Sequence, residues 1–361
     1  MKILFICKEI DSHLEYRINQ LTNHGFEIEC LELSTQNMVK NGEKNKIELD
    51  NKFSFLEKNR RLKNFSKKLQ IKQLFTSLPE YDTINIYKTA SLTAPFIDII
   101  KKHAKSYYVT IEEGDITQNR DIKKLFDFSH CLLFDEQLQL ESFEEKFGYD
   151  EKTLIAHDSN HFFEIIDSVE KEELNKFKTY LNITDEKYTV YCDLGNDINT
   201  QKNFIEDILK LPQSLLQKTT FIFNPVSTNI IDKEMLIEYL VDKEFDYLMP
   251  DSLLTNEQKA MLLLLADGTI ILNGYSEYSS LKPSFYVKNH IYRYGTKNKN
   301  PKYEKLKLFI DNFENFENTL TFNEDSVKLI NELTEKNREI ITKLYHPNIT
   351  LENYLKIMEI L

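Results

Sequence analysis

Short, unbroken apolar runs recur along this chain, each followed by a segment of helical periodicity. Residues 2–8, KILFICK, open the series. A run that is apolar at successive positions, and not at every second one, buries both faces of its strand. That is the habit of a parallel sheet covered by helices on both sides. Residues 12–25, SHLEYRINQLTNHG, place Leu14, Ile18 and Leu21 at helical spacing, with Gly25 as a stop. Residues 26–33, FEIECLEL, read as the next strand. A β-α-β opening of this kind predicts a doubly wound domain.

Residues 35–68 are polar and charged and read as loop plus a basic helix, NRRLKNFSKKLQIKQLF. The alternation then resumes. TINIYK is a strand, APFIDIIKKHAK a helix, and SYYVTIEEGD a strand running into an acidic loop. DIKKLFDFS is a helix, HCLLFDE a strand, QLQLESFEEKFG a helix and KTLIAHD a short strand. A charged helix at 169–181 makes a transition, and a second series starts at KYTVYCDLG. Helices at 201–211, 231–243 and 256–267 alternate there with strands at 219–225, 245–250 and 268–274. A helix near 284–290 follows. The C-terminal stretch from 325 to 361 is helical, with Leu351, Tyr354, Leu355 and Met358 on one face of the last helix. The expected organisation is a first Rossmann-like domain over 1–165, a second over 166–340, and a terminal helix over 341–361.

Composition narrows the function. With 58 acidic against 46 basic residues the net charge is −12, which repels phosphate backbones and argues against general nucleic-acid binding. Cys7, Cys30, Cys131 and Cys192 are too far apart for a zinc site or a disulfide framework and read as small buried hydrophobes. No apolar run approaches the ~18 residues of a membrane span, and the chain opens directly into a strand. A cytoplasmic protein is expected. His157 and His161 have metal-like i, i+4 spacing, yet no helix or third ligand accompanies them, so they read as a polar interdomain loop. Arg60, Arg61 and the lysines of 63–72 read as a solvated helix face, with an acceptor or lipid-surface patch at the inner face of the membrane as the alternative. The dinucleotide fingerprint, the P-loop and G-x-S-x-G are all absent.

Residues 266–285, ADGTIILNGYSEYSSLKPSF, combine an apolar strand, a turn, the lone acid Glu277 and a helix start. Ligands in open α/β sheets bind at such strand ends. Two Rossmann-like units with a helical tail resemble the type-B glycosyltransferase fold, and several segments resemble its retaining branch, glycosyltransferase family 4. The resemblance spans most of the chain apart from residues 35–80 and lies in order and spacing more than in identity. VYCDLGNDINTQKNF matches the loop that opens the family's second domain, with Gly195 and Lys202 in place and Asn203 for its second glycine. LTNEQKAMLLLLADGTIILNG matches a later segment, with Glu257 and Asp267 at corresponding places. Glu277, Leu281 and Pro283 follow the family pattern, but Phe285 stands where its second Glu belongs. EEGD, residues 112–115, is similar to the family's His-Gly-x-Asp loop, with Glu113 for the His. HPNITLENYLKIMEIL looks like the family's last helix, which crosses back to the first domain.

The resemblance implies an α/β protein of two Rossmann-like domains facing each other across a cleft. It implies a retaining, metal-independent transferase of bacterial glycan biosynthesis, moving sugar from a nucleotide-diphosphate sugar to a glycan, lipid or protein acceptor. No cofactor is implied beyond that donor substrate. A leaving diphosphate needs cations and oriented N–H groups. Lys202, Gly195, Asn196, Glu257, Ser279, Ser280, Leu281 and Lys282 are therefore the expected donor-binding residues. Glu277 would lie near the donor sugar, and Glu113 would face it from the first domain as a base or hydroxyl acceptor. Lys8, Glu9 and Asp115 would meet the acceptor. The family's upstream Arg is missing between Lys187 and Lys202, and CKEIDSHLEYR lacks its glycine pair. With the Phe285 exchange, these departures keep two alternatives in view: a non-catalytic binding or scaffold subunit, and a sugar-nucleotide epimerase of the same architecture.

Overall fold

The computed structural model describes residues 1–40, 43–47, 63–112, 120–148, 152–194, 197–224, 230–250, 254–272, 281–295, 305–319 and 324–360. The chain divides into two compact units, Met1–Ser159 with Asn348–Leu361, and Asn160–Pro347.

The strands of the first unit are β1 (Lys2–Cys7), β2 (Glu27–Glu32), β3 (Asn37–Lys40), β4 (Glu43–Lys46), β5 (Tyr81–Tyr87), β6 (Ala104–Ile111), β7 (Cys131–Phe134) and β8 (Thr153–Ile155). They form one sheet in the order β4-β3-β2-β1-β5-β6-β7-β8. From β2 to β8 every pairing is parallel. Alternate residues of β1 serve different cores. Leu4 and Ile6 pack with Ile84, Ile86, Val109 and Leu132, while Ile3, Phe5 and Cys7 face Leu14, Leu21 and Tyr108. The second core is completed by Leu351, Tyr354, Ile357 and Met358 of the last helix, Pro347–Ile360. Burial on both faces is why the strand runs are apolar throughout.

The second unit carries β9 (Tyr188–Asp193), β10 (Thr219–Asn224), β11 (Asp246–Leu248), β12 (Gly268–Leu272), β13 (His290–Tyr294) and β14 (Asp311–Asn312), ordered β11-β10-β9-β12-β13-β14 and all parallel. Val190, Cys192, Phe221, Phe223 and Ile270 line one face. Ile271 and Ile291 line the other, against Phe163, Phe285 and Tyr345. All four cysteines are free and buried. Burial, helped by Glu32, pushes the Cys7 thiol up to about 12, so it behaves as an apolar side chain.

Four local expectations are corrected. The 35–68 stretch holds the antiparallel strands β3 and β4 before the helix Lys63–Thr76. Short edge strands carry charge to discourage pairing with other chains, so they look like loop in sequence. Lys40, at the end of β3, bonds Glu27 and Glu29 of β2. The helix expected over 94–105 is a chain of short turns, Ala90–Thr93, Ala94–Phe96 and Ile97–Ile100, with β6 already under way at Ala104. Pro95, at the start of the middle turn, lacks the N–H that a continuous helix needs. The helix expected over 169–181 is present as Lys171–Tyr180, but a second helix, Phe162–Ser168, precedes it where a polar loop was expected. Finally, the helix near 284–290 is the shorter Leu281–Tyr286, and HIYRY after it is the strand β13.

Candidate functional site

A parallel sheet delivers the residues that follow its strands to one edge. In the first unit, Lys88 follows β5, Asp135 follows β7 and Asp158 lies just beyond β8. They converge. Lys88 Nζ lies 2.8 Å from Asp135 Oδ2 and 2.8 Å from Asp158 Oδ2. Lys88 itself adopts φ 49°, a left-handed conformation that is unfavourable for a residue with a Cβ. Its N–H donates to the Thr110 carbonyl at 3.0 Å, which together with the two ion pairs holds the turn. Arg17, buried on the helix Ser12–Asn23, donates from Nη2 to the His157 carbonyl at 3.2 Å and stands 3.9 Å from Asp158 Oδ1. The His157 ring donates from Nδ1 to the Asp135 carbonyl at 2.7 Å, which sets its tautomer.

The two carboxyl groups are pushed apart. Burial and the neighbouring Asp158 raise Asp135 to about 7, against the pull of Lys88. Burial acts the same way on Asp158, but Lys88 and Arg17 outweigh it and hold that carboxyl below its ordinary range. For Lys88, burial opposes the charge, and Asp158 and Asp135 more than restore it. One lysine therefore bridges a firmly ionised carboxylate and one poised near neutrality, an arrangement suited to accepting a proton or a hydroxyl hydrogen bond.

Beneath this cluster runs a neutral network. Thr110 Oγ1 donates to Asn85 Oδ1 at 3.2 Å, Asn85 Nδ2 donates to the Tyr354 hydroxyl at 3.0 Å, and that hydroxyl lies 2.8 Å from Tyr108's. The Arg17 guanidinium covers the Tyr354 ring at 4.3 Å. A small cavity opens here, lined by Phe5, Tyr87, Leu133, Asp135, Ala156 and Asp158 among others.

Residue order alone did not single out Arg17, Tyr87, Lys88, Asp135 or Asp158. The available signal was positional: TINIY, CLLF and TLIAH are each followed directly by a charged residue. Of the expected acceptor residues, Lys8 and Glu9 are exposed just past β1. Glu113 and Asp115 lie outside the described residues.

In the second unit, Gly195, Asn196, Glu277, Ser279 and Ser280 likewise lie outside the described residues. Lys202 is half-buried on the helix Ile198–Leu209, with Nζ 5.5 Å from the Tyr239 ring centroid. Asp197 caps that helix, accepting from Asn199 N at 3.4 Å and Thr200 N at 3.0 Å. Glu257 is exposed in the first turn of Asn256–Leu265, which Thr255 and Gln258 close with a reciprocal capping box. Asp267, at the far end of the same helix, clamps the amino edge of the sheet by accepting from Thr189 N at 2.8 Å. Leu281 is buried, and Lys282 Nζ stands 3.7 Å over the Tyr345 ring. Phe285 is fully buried among Phe163, Leu281, Ile341 and Tyr345. The position of the absent second carboxylate is thus a core position.

Solved structures share this architecture. Anabaena HepE in complex with UDP matches over 100% of both chains, at 9% identity and a TM-score of 0.60. The chain has a GT-B fold. Sucrose-phosphate synthase of Thermosynechococcus elongatus matches over 99% of this chain and 98% of its own, at 10% identity and a TM-score of 0.58. UDP-GlcNAc 2-epimerase of Methanocaldococcus jannaschii matches over 100% of both, at 11% identity and 0.56. No protein-family model and no curated protein matches the sequence. Among the described residues of this GT-B chain, no group of three or more His, Cys, Asp or Glu side chains is placed to hold a metal ion. No described helix is long and apolar enough to cross a membrane.

Proposed function

We propose that the chain is a glycosyltransferase that moves sugar from a nucleoside-diphosphate sugar to a hydroxyl acceptor, the second unit holding the donor and the first the acceptor. The supporting observation is the likeness of fold along the whole chain to nucleotide-sugar proteins, among them HepE, described with UDP and with UDP-glucose. In this proposal Lys202 and Lys282 neutralise the leaving diphosphate, and Glu277 stabilises positive charge developing on the donor sugar. Ser279, Ser280 and the backbone at Gly195 and Asn196 add hydrogen bonds. Lys282 reaches the diphosphate by leaving the Tyr345 ring, a contact worth about 0.5–2 kcal/mol. Retention of configuration, independence of metal, and a glycan, lipid or protein acceptor complete the proposal.

A second reading, a non-catalytic binding subunit, is favoured by Phe285. A buried ring stands where the resembled family carries its second Glu. One experiment separates the two. Thermal shift with UDP, UDP-glucose and GDP-mannose, followed by donor hydrolysis, reads binding and turnover in turn. Binding with turnover that Glu277→Ala abolishes supports the transferase. Binding without turnover supports the subunit. If no nucleotide shifts the melting temperature, both readings fail.

A further inference from the structure

The carboxyl-edge cavity of the first unit has a chemistry of its own. Tyr87 is only 7% exposed, and its hydroxyl is buried with no hydrogen-bond partner among the described residues. Asp135 Oδ1 is in the same condition, although Oδ2 is held by Lys88. Both residues line the one cavity. An unpaired donor and an unpaired acceptor buried together are costly unless something bridges them. The cavity is about 10 Å³, room for one oxygen atom. Its mouth is not sealed, since the Lys88 and Asp158 side chains keep 20% and 22% of their surface. Phe5 and Leu133, both buried, back the space with apolar side chains.

We propose that this cavity is a hydroxyl-recognition subsite that receives one hydroxyl of a sugar or related polyol. The ligand O–H donates to Asp135 Oδ1, and its oxygen accepts from the Tyr87 O–H. The ring carbons stay outside, at the mouth, where neighbouring hydroxyls reach Lys88 and Asp158. Two features favour a sugar over a charged ligand. With Asp135 ionised, the cluster Arg17, Lys88, Asp135 and Asp158 carries two positive and two negative charges and exerts no net pull on an anion or a cation. The unmet groups are one donor and one acceptor, which a single hydroxyl satisfies together. Identification of the sugar as the acceptor rests on the glycosyltransferase proposal above; the subsite itself does not.

The test uses the full chain, with D-glucose and glycerol as probes in saturation-transfer NMR and UDP as a control ligand by calorimetry. Saturable glucose binding is expected, weakened at least fivefold by both Tyr87→Phe and Asp135→Asn, with the melting temperature of Tyr87→Phe unchanged or higher. UDP affinity is expected to stay within twofold in both variants. If glucose and glycerol give no saturable signal up to 100-fold excess, or if neither substitution weakens it, the subsite is wrong, whatever UDP does. A crystal soaked in glucose that shows only a water between Tyr87 and Asp135 also overturns it. Failure of UDP binding with glucose binding intact overturns the glycosyltransferase proposal and leaves the subsite standing.

Discussion

The hydroxyl of Tyr354, on the last helix, lies 2.8 Å from the hydroxyl of Tyr108 on β6, 246 positions earlier. Tyr354 also accepts from Asn85, so a polar network inside an apolar face ties the end of the chain to the middle of the first sheet. Tyr354→Phe keeps the ring beneath Arg17 and removes only the hydroxyl. It is expected to cost about 1–3 kcal/mol, because Asn85 and Tyr108 lose a buried partner. Urea unfolding measures the loss, and hydrogen exchange should show it concentrated in Pro347–Ile360. A change below 0.3 kcal/mol would show that the network contributes nothing net.

Lys88→Met leaves Asp135 and Asp158 facing each other without their shared cation. Breaking a buried pair by removing one partner costs about 3–5 kcal/mol. The deficit should shrink at pH 5, where protonation relieves the repulsion. Equal deficits at pH 5 and pH 8 would place the destabilisation elsewhere.

Asp135 predicts a pH dependence of definite sign. Burial and Asp158 raise its folded-state value to about 7 from the ordinary 3.8, so the folded protein holds this proton more tightly than the unfolded chain. The stability this confers is fully present below about pH 4 and is lost as pH rises through about 7, at about 1.4 kcal/mol for each unit of displacement. Asp158 runs the other way. Its value is lowered, so its contribution is present at neutral pH and lost on acidification. Asp135→Asn should therefore flatten the fall in urea midpoint between pH 5 and pH 8. Parallel slopes for variant and parent would refute the assignment.

Phe285→Glu restores the carboxylate of the resembled family in sequence but not in space. Phe285 is fully buried against Phe163 and Tyr345, so the new carboxylate has no water and no partner. Loss of the ring alone costs about 3–5 kcal/mol, judged by Phe→Ala substitutions, and the buried charge adds to it. The variant should unfold at lower urea and show no gain in UDP affinity. A tighter UDP complex would mean that this helix can turn toward the ligand.

Lys202→Met tests the donor proposal with little structural cost. Its cation–π contact with Tyr239 at 5.5 Å is worth about 0.5–1 kcal/mol. A charge-assisted bond to phosphate is worth about 1.5–3 kcal/mol. UDP affinity measured by calorimetry should fall at least tenfold while the melting temperature barely moves. Unchanged affinity would remove Lys202 from the donor site.

Much of the architecture is legible in residue order. KILFICK, KYTVYCDLG and GTIILNG must be interior parallel strands, because only burial on both faces makes a continuous apolar run favourable. Capping and periodicity similarly mark SHLEYRINQLTN as a helix. The short strands β3 and β4 are not legible, since their polar edge-strand residues carry no apolar pattern. HIYRY escaped for a different reason: it is a five-residue run that begins where the expected helix near 284–290 ends, too short to stand out.

The candidate site divides along the same line. That Lys88, Asp135 and Asp158 each terminate an apolar run follows from residue order, and so does their arrival at a common sheet edge. Their meeting does not. Lys88 and Asp158 are 70 positions apart. What joins them is the strand order β5-β6-β7-β8, the left-handed turn at Lys88 and the docking of Tyr354 under Arg17. Charges interact as the inverse of distance and the dielectric around them. Strand order and burial set both quantities, and long-range packing, not local pattern, settles them.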